Sequence, residues 1–172
     1  MAPALGTVLN KSEVSDREEA AIAVGQNVPA GLVYKFGVND WRKVPVDGSV
    51  NAKRMYVLEK AFDNTNGTVA KTVIVYGKNA KFIGKADGVI VVKANVRASE
   101  TAAHEQQLQT QADPTAPSGA YIQAEAVSAI DALIKTIAQY LGHNDELAAV
   151  GSDGTDAVDE DVDCVFQIKR LL

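Results

Sequence analysis

One cysteine and two histidines in 172 residues leave little material for thiol, redox or metal chemistry. The lone Cys164 excludes an intrachain disulfide and with it the small disulfide-stapled secreted scaffold. Its setting, Val162-Asp163-Cys164-Val165-Phe166, predicts a small buried apolar residue. His104 and His143 belong to no HExxH or spaced Cys/His set, so no metal site is expected. Neither GxGxxG nor a P-loop is present, and the glycines read as turn geometry, so no cofactor is expected. Long apolar runs are missing too: no window approaches about eighteen consecutive apolar residues, and no basic segment followed by an apolar core opens the chain. The expectation is a chain that works in water with no membrane partner. Basic residues are outnumbered, 17 Lys and Arg against 22 Asp and Glu, for a formal charge of -5. Nucleic acid, whose recognition needs clustered cations, is not an expected partner.

What the chain does have is short β-compatible runs separated by turn signals. Leu32 to Phe36, Trp41 to Val46 and Met55 to Ala61 are rich in β-branched, aromatic or alternating apolar residues. Gly37-Val38-Asn39-Asp40, Asp47-Gly48-Ser49 and Asp63-Asn64-Thr65-Asn66-Gly67 punctuate them. Between Thr68 and Val96 three further strands are expected, around Thr72–Tyr76, Phe82–Ile83 and Val89–Val92. Such strands must curl into a barrel or pair as a sandwich to bury their apolar faces.

The flanks read differently. Residues 1–24 carry scattered apolar positions, Leu5, Val8 and Leu9 among them, and read as an N-terminal arm; Ser15 to Ala21 suits either a short helical turn or an extended segment. Residues 99–119 are Thr-, Ala-, Gln- and Pro-rich, with Leu108 the single large aliphatic side chain, and read as a polar surface excursion whose first half could be a helix capped by Ser99. Val127, Ile130, Ile134, Ile137 and Leu141 recur at spacings of three and four, which predicts a helix over 122–141 ending at Gly142. That stripe would pack either on the β-domain or between subunits, as in a three-stranded bundle. The acidic stretch from Gly151 to Asp161 lacks the order of a calcium loop and reads as a solvated loop, and 162–172 as a closing strand. The expected fold is mainly β, a small barrel or sandwich, with one long α-helix in the C-terminal half and extended arms: α+β overall, with the β-rich domain spanning 25–172.

The search for catalysis comes back empty. Ser49, Ser99, Ser118, Ser128 and Ser152 lack a nucleophile-elbow context, and acid pairs such as Glu18-Glu19 or Glu59 and Asp63 imply no cleft. A non-enzyme is expected. Tyr34, Phe36, Trp41, Tyr56 and Tyr76 could make a stacking platform, but core or interface packing is the commoner fate, and Trp41 with Arg42 beside a turn is the best single candidate for an interface anchor.

The segments GQNVPAGLVYKFG, WRKVPVDGS and AKRMYVLEKAFDNTNGTVAKTVIVYGKNAKFIGKADG, within roughly residues 25–97, resemble the head decoration, or capsid cement, proteins of tailed viruses. The resemblance rests on a Gly/Pro-led first strand, an Asp-Gly-Ser turn, and a Met-Tyr-Val-Leu-Glu strand leading through an Asn/Gly turn to a Val-rich one. It implies a non-enzymatic subunit, often a homotrimer, made in the host cytoplasm and bound to the virion surface, where it stabilises the shell across junctions of the major capsid protein. Residues 1–19 and 99–119 would then order on neighbouring subunits. Two alternatives share the β-scaffold: a glycan-binding module using Trp41 and nearby tyrosines, and a virion tail subunit.

Overall fold

The computed structural model describes residues 4–46, 54–110, 138–143 and 163–169. Among the described residues a 3₁₀ turn at Lys11–Glu13 is followed by twelve strands: β1 (Arg17–Ile22), β2 (Asn27–Val28), β3 (Gly31–Lys35), β4 (Trp41–Lys43), β5 (Met55–Leu58), β6 (Phe62–Asp63), β7 (Lys71–Tyr76), β8 (Lys81–Ala86), β9 (Asn95–Ala98), β10 (Gln107–Thr110), β11 (Ala138–His143) and β12 (Asp163–Ile168). They form a five-stranded sheet in the order β1-β7-β5-β3-β4, a closed barrel β10-β8-β12-β11-β9, and the small pair β2-β6.

The N-terminal sheet is antiparallel throughout and strongly curled. Its two edges, β1 and β4, stand at opposite ends of the strand order, yet the Ala23 N–H just after β1 donates to the Asn39 carbonyl just before β4, at 3.3 Å. Ala20, Ile22, Val33, Trp41, Tyr56, Leu58 and Val75 fill the concavity with Val28. Alternation sends Leu32, Tyr34, Met55 and Val57 to the other face, where they join one cluster with the barrel residues Phe82, Leu108 and Phe166. β3 and β5 are therefore buried on both faces.

The barrel closes through four antiparallel seams and one parallel seam, β10 with β8, in which Gln107 faces Lys85 and Leu108 faces Ala86. Ala86, Val96, Ala98, Leu108, Ala138, Cys164, Phe166 and Ile168 belong to the continuous core, and Cys164 is fully buried. The Phe82 and Phe166 rings lie 5.9 Å apart, over a glycine, Gly84, whose missing Cβ leaves room for Phe166.

Several expectations are corrected. The long helix does not reach Leu141: Ala138–His143 is strand, paired with β12 on one side and β9 on the other, and the longest helix among the described residues is the three-residue turn. Satisfying both sides of a strand with neighbours outweighs a helical spacing of aliphatic residues, and Leu141 lies on the barrel's outer side with Leu9, Ile83 and Val165. The rest of that stripe, Val127, Ile130, Ile134 and Ile137, lies outside the described residues, as does 111–119 of the polar excursion.

The first half of that excursion is no helix. It is a turn followed by β10, with Leu108 fully buried in the barrel. Nor are residues 4–22 an extended arm. β1 pairs with β7 over its full length, and Val8 and Val14 are core residues. Val8 bridges Phe82 and donates its N–H to Glu59 Oε1 at 3.0 Å, and Lys11 Nζ meets the same oxygen at 2.9 Å. The strand expected at Val89–Val92 starts instead at Asn95. A turn intervenes, in which the Ala94 N–H bonds the Val91 carbonyl and Lys93 takes a left-handed φ of 70°.

Candidate docking site at the open end of the sheet

Three loops meet where the curled sheet brings its edges together: 23–26 after β1, 36–40 between β3 and β4, and 64–70 between β6 and β7. Asn64 ties them. Its side chain is buried, and Nδ2 faces the carbonyls of Ile22, Ala23 and Val69 at 3.0, 3.1 and 3.1 Å. Its backbone N–H donates to the Gln26 carbonyl at 2.8 Å and its carbonyl accepts from the Gly25 N–H at 3.0 Å. Gln26 then spans to the third loop, donating from Nε2 to Asp40 Oδ1 at 2.6 Å and accepting from the Trp41 N–H at 3.4 Å.

On this rigid frame stand apolar side chains facing water. Val24 is 49% exposed, Phe36 56%, Val38 84% and Val69 64%. Two of these sit inside a turn, where solvated residues are the norm. Arg42 holds Phe36 from one side: its guanidinium carbon lies 3.7 Å from the ring centroid while Nε and Nη2 grip the Asp40 carboxylate at 2.7 to 3.2 Å. That hydrogen bonding from Arg42, reinforced by Gln26, holds the Asp40 carboxyl below its usual range in spite of partial burial, and Asp40 in turn raises Arg42. The Phe36 ring and the Arg42 guanidinium thus brace each other before anything binds, which lowers the ordering cost of an interface.

Beside the patch runs an open cleft of 840 Å³ lined by Gln26, Asn27, Tyr34, Trp41, Lys43 and Pro45, among others. Trp41 forms its floor, not an exposed anchor. It is 2% exposed, packs edge-on to Tyr56 with centroids 5.4 Å apart, and has Lys35 Nζ 5.7 Å from its ring centroid. Tyr34 and Tyr56 are buried as well, so with Trp41 they belong to the two cores and offer no stacking platform. Burial and the hydrogen bond that Tyr56 donates to Glu18 both push its phenol well above the usual range.

Of the residues expected at an interface, Arg42 stands in this site and Trp41 beneath it. Val8 and Leu9 are committed to packing against the barrel, and Leu5 is half-buried in the same N-terminal segment. Phe36 and Val38 were the residues missed. Their signal was available: two apolar side chains in the turn Phe36-Gly37-Val38-Asn39-Asp40 have no strand face to fill.

A Ser, His and Asp do come together elsewhere. Asp87, after β8, accepts hydrogen bonds from Ser99 Oγ, from Thr101 Oγ1 at 2.8 Å and from His104 Nδ1 at 2.7 Å. Hydroxyl and imidazole both donate to the same carboxylate, whereas nucleophilic catalysis places the hydroxyl on the imidazole. The cluster braces the turn that leads into β10: the Asp87 N–H bonds the Leu108 carbonyl and the Ser99 N–H the Gln107 carbonyl.

Among the described residues no group of three or more His, Cys, Asp or Glu is arranged to hold a metal ion, and no helix is long and apolar enough to cross a membrane. No family model, curated protein or solved structure matches the chain.

Proposed function

We propose that this protein is a structural virion subunit of the capsid decoration type, which binds the outer surface of an icosahedral shell and stabilises it by docking on the major capsid protein. The observation that carries the reading is the meeting of three loops, tied together by Asn64 and Gln26, that carry Val24, Phe36, Val38 and Val69 as exposed apolar side chains. A rigid apolar cap with a charged rim is the composition of a protein interface. Each copy offers a small patch, and repetition over a lattice multiplies weak contacts into stable attachment. The resemblance of residues 25–97 to decoration proteins points the same way, and the homotrimer it implies is part of the proposal.

Residues 4–19 do not serve as the arm that orders on a neighbour, since they complete this subunit's own sheet and core. Attachment runs through the apolar end instead. The test uses shells assembled from the major capsid protein of the virus that carries this chain, sedimented with the wild-type protein or with F36D/V38D. Both substitutions are at exposed positions, so the variant keeps its melting temperature and loses shell occupancy. Equal occupancy of the two proteins would refute the reading.

A further inference from the structure

Strand β4 is the edge of the N-terminal sheet, and the cleft lies along it. The hydrogen-bonded rungs between β3 and β4 are Phe36 with Asp40 and Leu32 with Val44, seen in the Phe36 N–H to Asp40 carbonyl bond at 2.8 Å and the Val44 N–H to Leu32 carbonyl bond at 3.2 Å. Tyr34 opposite Arg42 is the rung between them. Antiparallel alternation therefore turns the N–H and C=O groups of Trp41 and Lys43 away from β3, toward the cleft. The Trp41 N–H is met, at 3.4 Å, by the side-chain amide of Gln26. Among the described residues the Lys43 N–H and the carbonyls of Trp41 and Lys43 have no partner. Trp41 Nε1, buried in the wall of the same cleft, has none either.

We infer that this cleft receives an extended segment of a partner polypeptide, which adds to β4 as a further strand. The inference rests on the docking reading above and names the form the partner takes there. Donors and acceptors spaced along an edge are the complement of another extended backbone, the mode of recognition known as strand addition. Gln26, whose amide already occupies one of those positions as a peptide group would, marks where the incoming strand begins. Pro45, with no N–H to offer, ends the pairing after Lys43.

The occupant is a different chain and not a second copy. Antiparallel pairing of β4 with its own copy through the outward groups of Trp41 and Lys43 sets Arg42 against its duplicate, and like charges facing across a pair of strands oppose it. An acidic extended segment has the matching charge. Lys43 is about half exposed and held by the half-exposed carboxylate of Glu105, a contact weak enough to exchange, while Arg42, also about half exposed, keeps its place on Asp40 at the rim.

The experiment titrates the ¹⁵N-labelled full chain with the peptide acetyl-Thr-Val-Glu-Val-Glu-Val-Thr-amide and with its counterpart carrying Lys in place of Glu. The acidic peptide is expected to give saturable shifts at the Lys43 and Trp41 backbone amides and the Trp41 indole, and to slow hydrogen exchange of the Lys43 amide; the basic peptide is expected to bind more weakly. Lys43→Pro removes the outward N–H without touching a β3–β4 rung, and should weaken binding about tenfold, the equivalent of one well-made hydrogen bond. Lys43→Ala keeps the N–H and should cost less than about threefold. Absence of saturable shifts and of added protection in the wild-type chain overturns the inference, as does equal binding by the two Lys43 variants. Loss of peptide binding leaves the F36D/V38D shell assay unaffected, so the edge and the apolar cap are judged separately.

Discussion

Asn64 Oδ1 occupies the place where a Cβ on Gly67 would stand. The glycine is required there by its neighbour, while the neighbour's Nδ2 gathers three carbonyls, two at the end of β1 and one in its own loop. Asn64→Ala leaves those carbonyls, the Ile22 one buried and the others partly buried, short of a donor and should lower unfolding free energy by about 1 to 3 kcal/mol. Gly67→Ala should cost a comparable amount through the clash. In the double variant the obstructing side chain is gone, so the loss should fall well short of the sum. Urea unfolding of the two single variants and the double variant measures this coupling, and strict additivity would show that the two residues do not obstruct each other.

Asp87 should contribute to the acid stability of the barrel. Burial raises its pKa, but the hydrogen bonds from Ser99, His104 and Thr101 outweigh burial and leave it below the ordinary carboxylate value. A carboxyl whose pKa is lower in the folded chain than in the unfolded one contributes stability above the unfolded value, and that contribution is lost as pH falls through the folded value. Asp87→Asn should therefore destabilise at pH 7 by about 1.5 to 3 kcal/mol, the worth of hydrogen bonds to a charged group. As pH falls below the ordinary carboxylate range and through the lower folded value, the native carboxyl protonates and the gap between the two proteins should narrow. Thermal melts of both from pH 3 to pH 7 would show it, and a gap that stays constant would exclude Asp87 as the titrating group.

Gly6 pins the N-terminal segment between sheet and barrel. Its N–H donates to the Ile83 carbonyl at 2.8 Å, its φ is 81°, and a Cβ there would lie 2.8 Å from both Gly31 N and the Leu58 carbonyl oxygen. Both obstacles are backbone, so neither can swing aside. Gly6→Ala should release the segment through Leu9 while leaving β1 paired, giving faster hydrogen exchange at the Gly6, Leu9 and Ile83 amides with little change at Ala20 and Ile22. Uniform exchange across both sets would mean that the segment tolerates a side chain.

Much of the fold was legible because alternation and turn chemistry agree locally. β3, β4, β5, β7 and β8 fall in the runs that the sequence singles out, and β12 in the closing run. β1 was hidden by its charged start: Arg17, Glu18 and Glu19 look like a first turn of helix, although Glu18 shares a face with the buried Ala20 and Ile22. β10 offers a single large aliphatic side chain, too little for a pattern. In β11 the spacing of aliphatic residues leading to Leu141 imitates a helix, while the partners that make it a strand come from β9 and β12, remote in sequence.

The docking site was half legible for a related reason. Arg42 follows from its place beside a turn, but the burial of Trp41 depends on the curl of the sheet, which brings β1 and β4 together, and no local window of sequence encodes that approach. With Trp41 turned inward, the exposed role passes to Phe36 and Val38.

The barrel's order of pairing has a consequence for synthesis. Every strand of the N-terminal sheet has left the ribosome by Tyr76, whereas β8 must wait for β12, and β9 for β11, before the ring can shut. A nascent chain can thus acquire the sheet early but holds Phe82 and Leu108 without their full enclosure until the final strand emerges. For that interval the half-built barrel is the stretch most in need of a chaperone.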